Sequence, residues 1–170
     1  VSTDQDSQEI MAPILNQYEG KIKYSSLKLQ KSFDFGKWTL DNSIIYQIIN
    51  QNEDILNLPK FMSRNTLFFS ERIFRNTLAI QTGLNFKIFS KYYANEYNPL
   101  ISDFHIQNQK KIGSFPLFDF FFNAKIRQTK IFIIAEHINS SFTGNNFYST
   151  PESVYRDFGV RFGFKWNLFN

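Results

Sequence analysis

The end of the chain, "VYRDFGVRFGFKWNLFN", alternates between apolar and polar side chains. The apolar parity, interrupted only by Arg156, consists of Val154, Phe158, Val160, Phe162, Phe164, Trp166 and Leu168. The polar parity consists of Asp157, Gly159, Arg161, Gly163, Lys165 and Asn167. Because successive side chains of a β-strand point to opposite faces, this stretch predicts a strand with one apolar and one polar face.

Six segments upstream have strand-like patterns of the same kind. They are "KIKYSSLKLQKSF", "WTLDNSIIYQIIN", "FMSRNTLFFSERIF", "NTLAIQTGLNFKIF", "PLFDFFFNAKIR" and "IFIIAEHIN". The alternation is clearest in the fourth and fifth, whereas the third is irregular and the sixth is more uniformly apolar. With the terminal stretch, the pattern predicts seven strands.

Short and long connections alternate between these segments. The short ones are "DFGK", a turn near Arg75 and "QTK"; the long ones are "QNEDILNLPK", a stretch from about Ser90 to Phe115, and "SSFTGNNFYSTPES". Bacterial outer-membrane barrels have short turns at one end and long loops at the other. The sequence therefore predicts an all-β, antiparallel transmembrane β-barrel. A soluble sandwich or a lipocalin-like binder is the alternative.

The strand count predicts a piece of a larger barrel. A complete bacterial barrel has an even number of strands, and an open edge in lipid leaves backbone groups unpaired. We therefore expect residues 20–170 to be the C-terminal part of a barrel, residues 1–19 to be an irregular segment on the extracellular side, and the other strands to precede residue 1. The alternative is an eighth strand within residues 1–19, where the apolar residues do not alternate.

Composition narrows the class of protein. The 170 residues include 21 Phe and 8 Tyr, and this aromatic content suits strands and the aromatic girdles of barrels. No run approaches the roughly 18 apolar residues of a transmembrane helix. The net charge of +4, without a dense basic patch, argues against nucleic acid as a partner. With no cysteine, disulfides and thiolate metal sites are excluded.

In a barrel, the two parities become a lipid-facing and a pore-lining surface. The lipid-facing candidates are Leu84, Phe86, Phe118, Phe120, Phe122, Phe158, Phe162, Phe164 and Trp166. The pore-lining candidates are Lys87, Asp119, Asn123, Lys125, Arg127, Asp157, Arg161 and Lys165. The charges among them lean positive, which would favour anionic or polar solutes. Alternatively, they pair across strands and plug the lumen.

Catalytic or metal chemistry is not indicated. His105 lies near Asp103, a spacing that could chelate a metal, but a solvated loop histidine accounts for it better. His137 lacks the partner serine of an outer-membrane phospholipase, because Asn139 stands two residues later. The glycines around Arg161 lack the Lys-Ser/Thr pair and the helix of a nucleotide loop. We expect a non-enzymatic protein without metal or cofactor.

Two blocks in the second half resemble the C-terminal region of the putative porin family of Bacteroidetes. The first comprises Gly83, Ser90, Tyr92, Tyr93, Ala94, Tyr97 and Pro99; the second, which is more specific, comprises Ile112, Gly113, Pro116, Asp119, Phe121, Asn123, Ala124, Lys125 and Ile126. The resemblance covers about residues 76 to 170. It implies an outer-membrane β-barrel with more strands than are present here.

We therefore predict a bacterial outer-membrane porin that lets small hydrophilic solutes diffuse passively. Its expected partners are outer-membrane lipids and lipopolysaccharide, the barrel-assembly machinery during insertion, and other outer-membrane proteins. The alternative is a non-enzymatic accessory or scaffold subunit of a larger complex for secretion, uptake or barrel assembly. In that case the aromatic, amide-rich connection at 90–115 would be a docking surface.

Overall fold

The structure is a computed structural model that describes residues 19–100, 102–143 and 147–167. Its strands are β1 (Lys23–Phe35), β2 (Trp38–Asn50), β3 (Phe61–Ile73), β4 (Leu78–Phe89), β5 (Tyr92–Tyr93), β6 (Glu96–Asn98), β7 (Asp103–His105), β8 (Lys111–Ile112), β9 (Leu117–Ile126), β10 (Thr129–Glu136) and β11 (Gly159–Trp166). One short helix, α1, spans Ser140–Thr143. Apart from Glu19, the predicted N-terminal segment lies outside the described residues, as does Leu168.

The seven long strands form one antiparallel sheet in the order β1-β2-β3-β4-β9-β10-β11. Each long strand therefore pairs with the long strands that come directly before and after it in the sequence. This confirms the seven antiparallel strands that the sequence predicts. Within the described residues the sheet is open, because β1 and β11 each pair on one side only.

The hairpin turns lie at one end of the sheet and the long connections at the other. Gly36, with φ of 68°, takes the left-handed conformation in the turn between β1 and β2. Residues 74–77 join β3 to β4, and Arg127 and Gln128 join β9 to β10. The predicted "QTK" turn is therefore displaced, since Thr129 and Lys130 already belong to β10. The alternation of short and long connections is confirmed.

The β1–β2 turn is staggered relative to the β3–β4 turn, whereas the β3–β4 and β9–β10 turns are level, because Leu78 pairs with Ile126. Trp38, the first residue of β2, pairs with Phe69 of β3, four residues before β3 ends at Ile73. The β3–β4 turn thus extends beyond the β1–β2 turn along the strand direction. Such an offset means that the strands are inclined to the line that joins their turns. A barrel can close only if its strands are tilted and their register is offset in this way, which is called shear.

The long connections contain structure that alternation could not predict. Between β4 and β9, the short strands form two small sheets, β5 with β8 and β6 with β7. Between β10 and β11, Tyr148 and Val154 form an isolated bridge. The terminal strand therefore starts at Gly159 and not at Val154 as predicted, because Val154 is paired within its own loop. In the described part of the chain, no helix is long and apolar enough to cross a membrane.

Close packing is concentrated at the end of the sheet that carries the long connections. The buried apolar residues there are Ala94, Ile112, Phe115, Leu117 and Phe147. The apolar side chains along the middle of the strands are instead half-exposed or exposed. Among the residues that the structure describes, the sheet thus has no interior of the kind that holds a soluble sandwich together.

The backbone of β3 lies so close to Gly83 of β4 that a larger side chain would not fit there. A Cβ at Gly83 would lie 2.6 Å from the Cβ of Phe68 and closer still to the carbonyl oxygen of Leu67. Because backbone has to move, we expect Gly83→Val to lower the free energy of unfolding by about 2–3 kcal/mol. Urea titration of the protein in lipid vesicles measures this. Gly159→Val is the matched control, since nothing lies within 4 Å of a Cβ there; an equal loss in both variants would contradict the steric explanation.

Candidate functional site: the polar face and its covered end

The strand register places most of the apolar residues of the seven strands on one face, although Phe68, Phe121 and Phe132 are among those on the other. Leu84 of β4 pairs with Leu67 of β3 and with Phe120 of β9. The same alignment continues through β2 and β1 on one side, and through β10 and β11 on the other. We call this surface the apolar face and the opposite one the polar face.

Most of the lipid-facing candidates share the apolar face. Those placed there by the register are Leu84, Phe86, Phe118, Phe120, Phe122, Phe162, Phe164 and Trp166. Phe86 packs against Phe118, with 4.9 Å between ring centroids. Phe158 precedes β11 and lies outside the sheet, although it is also exposed.

The apolar face is uncovered within the described residues. Phe162 is 83% exposed and Phe164 is 76% exposed, and Leu27 and Leu29 of β1 are each 59% exposed. Contiguous apolar surfaces of this extent are rare on soluble monomers and mark contact with a membrane or a partner. The face therefore requires a cover, in the form of lipid or protein.

Most of the pore-lining candidates share the polar face. Those placed there by the register are Lys87, Asp119, Asn123, Lys125, Arg161 and Lys165. Arg127 lies in the β9–β10 turn with φ of 51°, and Asp157 lies in the segment before β11. The structure therefore does not bring these two onto the wall formed by the strands.

The register adds polar-face residues that sequence reasoning missed: Lys28, Asp34, Asp41, Arg64, Arg72, Lys130 and Glu136. The sequence pattern places Lys130 in a turn, and the irregular parity of β3 hides the faces of its two arginines. The face of each of these residues follows from the strand pairing, because its partner lies in a strand whose alternation is clear. Lys130, for example, lies opposite Lys125. Of the charged residues in the seven strands, only Lys23, Lys31 and Glu71 lie on the apolar face.

Asp119 anchors a loop to the polar face. Its carboxylate is buried and accepts a hydrogen bond from the Lys87 Nζ at 2.6 Å. The other carboxylate oxygen accepts a hydrogen bond from the backbone N–H of His137 at 3.0 Å. One side chain therefore holds β4, β9 and the start of the β10–β11 connection together.

His137 is packed inside that connection. It is fully buried, with φ of 51°, and its Nδ1 lies 2.8 Å from the carbonyl oxygen of Arg156. The rings of Phe147 and Tyr155 meet it edge-on, at centroid distances of 4.4 and 5.6 Å. This packing gives the histidine a structural role, and the neighbouring Asn139 likewise bonds the backbone of Pro116 and Phe118.

An apolar cluster covers the polar face at the long-connection end. Phe115, Leu117 and Phe147 form its buried centre, with Phe89 and Tyr155 packed around it. Leu117 and Phe89 belong to the polar face by register, so the cluster lies on that side of the sheet. The β10–β11 connection thus folds over the polar face and narrows the space in front of it.

A second group of charges lies further out in the connections. His105 Nε2 is 3.4 Å from a carboxylate oxygen of Glu96, and Lys110 lies over the ring of Tyr148 at 3.6 Å. A hydrogen bond with the Glu96 carboxyl, and the charge of that carboxyl, raise the pKa of Glu152. Among the described residues, no group of three or more potential ligands could hold a metal ion.

The raised pKa of Glu152 predicts a pH-dependent contact. A carboxyl whose folded pKa is raised binds a proton more tightly when the contact is formed, so the contact is favoured at acid pH and weakens as pH rises through that pKa. We expect the protection of residues 147–155 from hydrogen exchange, corrected for intrinsic rates, to fall as the pH rises above the ordinary pKa of a glutamate. In Glu152→Gln this fall should be much smaller, while Glu53→Gln, in another loop, should leave it unchanged. Equal profiles in all three proteins would rule out the Glu96–Glu152 contact as its cause.

These features define the class of protein: an all-β chain whose single large antiparallel sheet has one continuous apolar face and one charged face. A family model described as "Putative porin" matches residues 3–170, and the chain belongs to that family. No curated protein and no solved structure matches. Membership supports a porin-like role, an outer-membrane location and a non-enzymatic protein. An origin in Bacteroidetes stays a prediction.

Proposed function

We propose that the protein is an outer-membrane channel through which small hydrophilic solutes diffuse passively. The observation that carries the proposal is that most apolar side chains of the seven strands share one face and most charged side chains share the other. A bilayer would cover the exposed apolar face, and the polar face would line water. That is the arrangement of a transmembrane barrel wall.

The stagger between the β1–β2 and β3–β4 turns supports closure of this sheet into a barrel. In lipid, the free backbone groups of β1 and β11 would cost several kcal/mol each unless both edges were paired. We therefore propose that each edge pairs with a further strand or with the other edge. Strand inclination of the kind seen between β1 and β4 is what closure needs.

The proposed mechanism of passage is steric and electrostatic. The polar face carries more basic than acidic side chains, which sets the charge preference of the wall. The apolar cluster around Phe115 and Phe147 restricts the space in front of that wall at the long-connection end. No covalent chemistry is required.

Conductance in a planar bilayer tests this function directly. The intact, detergent-purified protein should give stepwise openings, with a reversal potential in a salt gradient that reports ion preference. The folded state is verified separately by the heat-dependent mobility of the protein on a gel. A folded protein that never conducts would contradict the proposed channel.

A scaffold or accessory subunit is a second candidate, favoured by the surface of the connection between β4 and β9. Leu100 is 92% exposed, and Phe104 and Tyr97 are also exposed beside it. Exposed aromatic and aliphatic side chains of this kind suit a protein interface. Co-purification of fixed outer-membrane partners with a silent but folded protein would favour this alternative.

A further inference from the structure

Four basic side chains lie in one row across the polar face, near the turn end of the sheet. Arg72 of β3 pairs with Ala79 of β4, which pairs with Lys125 of β9. Lys125 pairs with Lys130 of β10, and Lys130 pairs with Lys165 of β11. We call Arg72, Lys125, Lys130 and Lys165 the basic row.

The basic row is electrostatically unbalanced. Adjacent strands are about 4.8 Å apart, and like charges directly opposite each other destabilise a sheet. Within the described residues, none of the four basic side chains forms an ion pair or a side-chain hydrogen bond to a carboxylate. The next row along the strands is neutral, and consists of Ser70, Gln81, Asn123, Phe132 and Gly163.

Basic residues elsewhere on the polar face have acidic neighbours. Lys87 forms an ion pair with Asp119, and Arg161 forms an ion pair with Glu136. Lys28 and Arg64 line a separate cavity that also contains Asp41. The acidic residue nearest to the basic row is Glu71, which lies on the apolar face by register and forms its ion pair with Lys37.

A cavity of about 710 Å³ lies over the basic row. All four basic residues line it, together with Gln81, Asn123 and one acidic residue, Glu71, whose carboxylate is ion-paired with Lys37. The cavity therefore brings several cations and neutral amide donors to one space. Guanidinium, ammonium and amide groups are the donors that bind oxyanions.

We propose that the basic row is a binding site for phosphate, either inorganic or carried by a small solute, on the route through the channel. A multiply charged oxyanion would offset the repulsion between Lys125, Lys130 and Lys165, whereas a monovalent anion would do so less well. The site deepens the proposed function and rests on it, since it is the polar face that carries the solute. A soluble source is favoured over a lipid headgroup because the row lies on the face opposite the apolar one.

The test compares two double variants that each remove two positive charges from the polar face. Lys125→Gln/Lys130→Gln removes the centre of the basic row, and Lys28→Gln/Arg64→Gln removes charge outside it. Single channels are recorded in chloride, before and after addition of inorganic phosphate at constant ionic strength. In the wild type and in the control, phosphate should reduce the chloride current. In the row variant, the phosphate concentration needed for half-reduction should rise about fivefold or more, because nearby charges act together on the bound ion.

Two results of this experiment would overturn the phosphate site. An equal shift in both double variants would show that net charge alone attracts phosphate, and would overturn the site. A phosphate effect that the row variant retains in full would overturn it as well. If no variant conducts, the proposed function fails, and equilibrium binding of radiolabelled phosphate to the detergent-purified proteins decides the site by itself. Binding that persists when the bilayer or detergent contains no phospholipid excludes a lipid headgroup as the required occupant.

Discussion

Replacing Leu84 by arginine should lower the free energy of unfolding in a bilayer by about 2–4 kcal/mol, the cost of a basic side chain on the lipid face near the midplane. Leu84 lies in the middle of β4 on the apolar face, between Leu67 and Phe120. Its side chain finds no partner for a charge there, because the facing residues are apolar. Urea unfolding in lipid vesicles measures the loss.

The neighbouring residue provides the matched control. Asn85 is on the polar face, opposite Thr66 and Asp119. Asn85→Arg removes the hydrogen bond that Asn85 Oδ1 accepts from Thr66 Oγ1, so it should lower the free energy of unfolding by about 0.5–1.5 kcal/mol and no more. If Leu84→Arg lowered it no further than Asn85→Arg does, the apolar face would be in water, because Leu84 is 42% exposed in the chain itself.

Replacing Asp119 by alanine should release the loop that folds over the polar face, at a cost of about 2–3 kcal/mol. The change leaves the buried N–H of His137 without an acceptor, and a buried unsatisfied group costs about 1–3 kcal/mol. The lost ion pair adds less, because the Lys87 side chain is 40% exposed and solvent screens its charge. We expect faster hydrogen exchange in residues 137–143 and 147–156, and a larger channel conductance.

Two further variants make this test specific. Asp119→Asn keeps an oxygen to accept from His137 and should lose less stability than Asp119→Ala. Asp41→Ala removes an exposed carboxylate from the same face and should leave the loop protected. Unchanged exchange in the loop after Asp119→Ala would show that the apolar cluster holds it without this anchor.

The strands could be predicted because alternation is a local property. Each predicted segment overlaps an observed long strand, since the period of two fixes which residues share a face once the backbone is extended. The start of β11 could not be predicted in this way. Val154 alternates like a strand residue, but it forms its bridge with Tyr148, and no local pattern reveals such a partner.

The candidate site was predictable in part for the same reason. Lys125 and Lys165 follow from parity within their own strands, whereas Arg72 and Lys130 depend on pairing between strands. The anchor formed by Asp119 and His137 joins residues from distant parts of the chain. Such contacts depend on how a loop folds back over a sheet, which neither spacing nor composition determines.

In the proposed channel, the apolar face contacts lipid and the polar face contacts water. The chain has no cysteine, so single cysteines can be introduced at positions 119 to 124 of β9 and labelled with a polarity-sensitive fluorophore. In vesicles containing a lipid-bound quencher, labels at Phe120, Phe122 and Ala124 should be quenched strongly, and labels at Asp119, Phe121 and Asn123 should be quenched weakly. Quenching that fails to alternate along β9, or alternates in the opposite phase, would contradict the account.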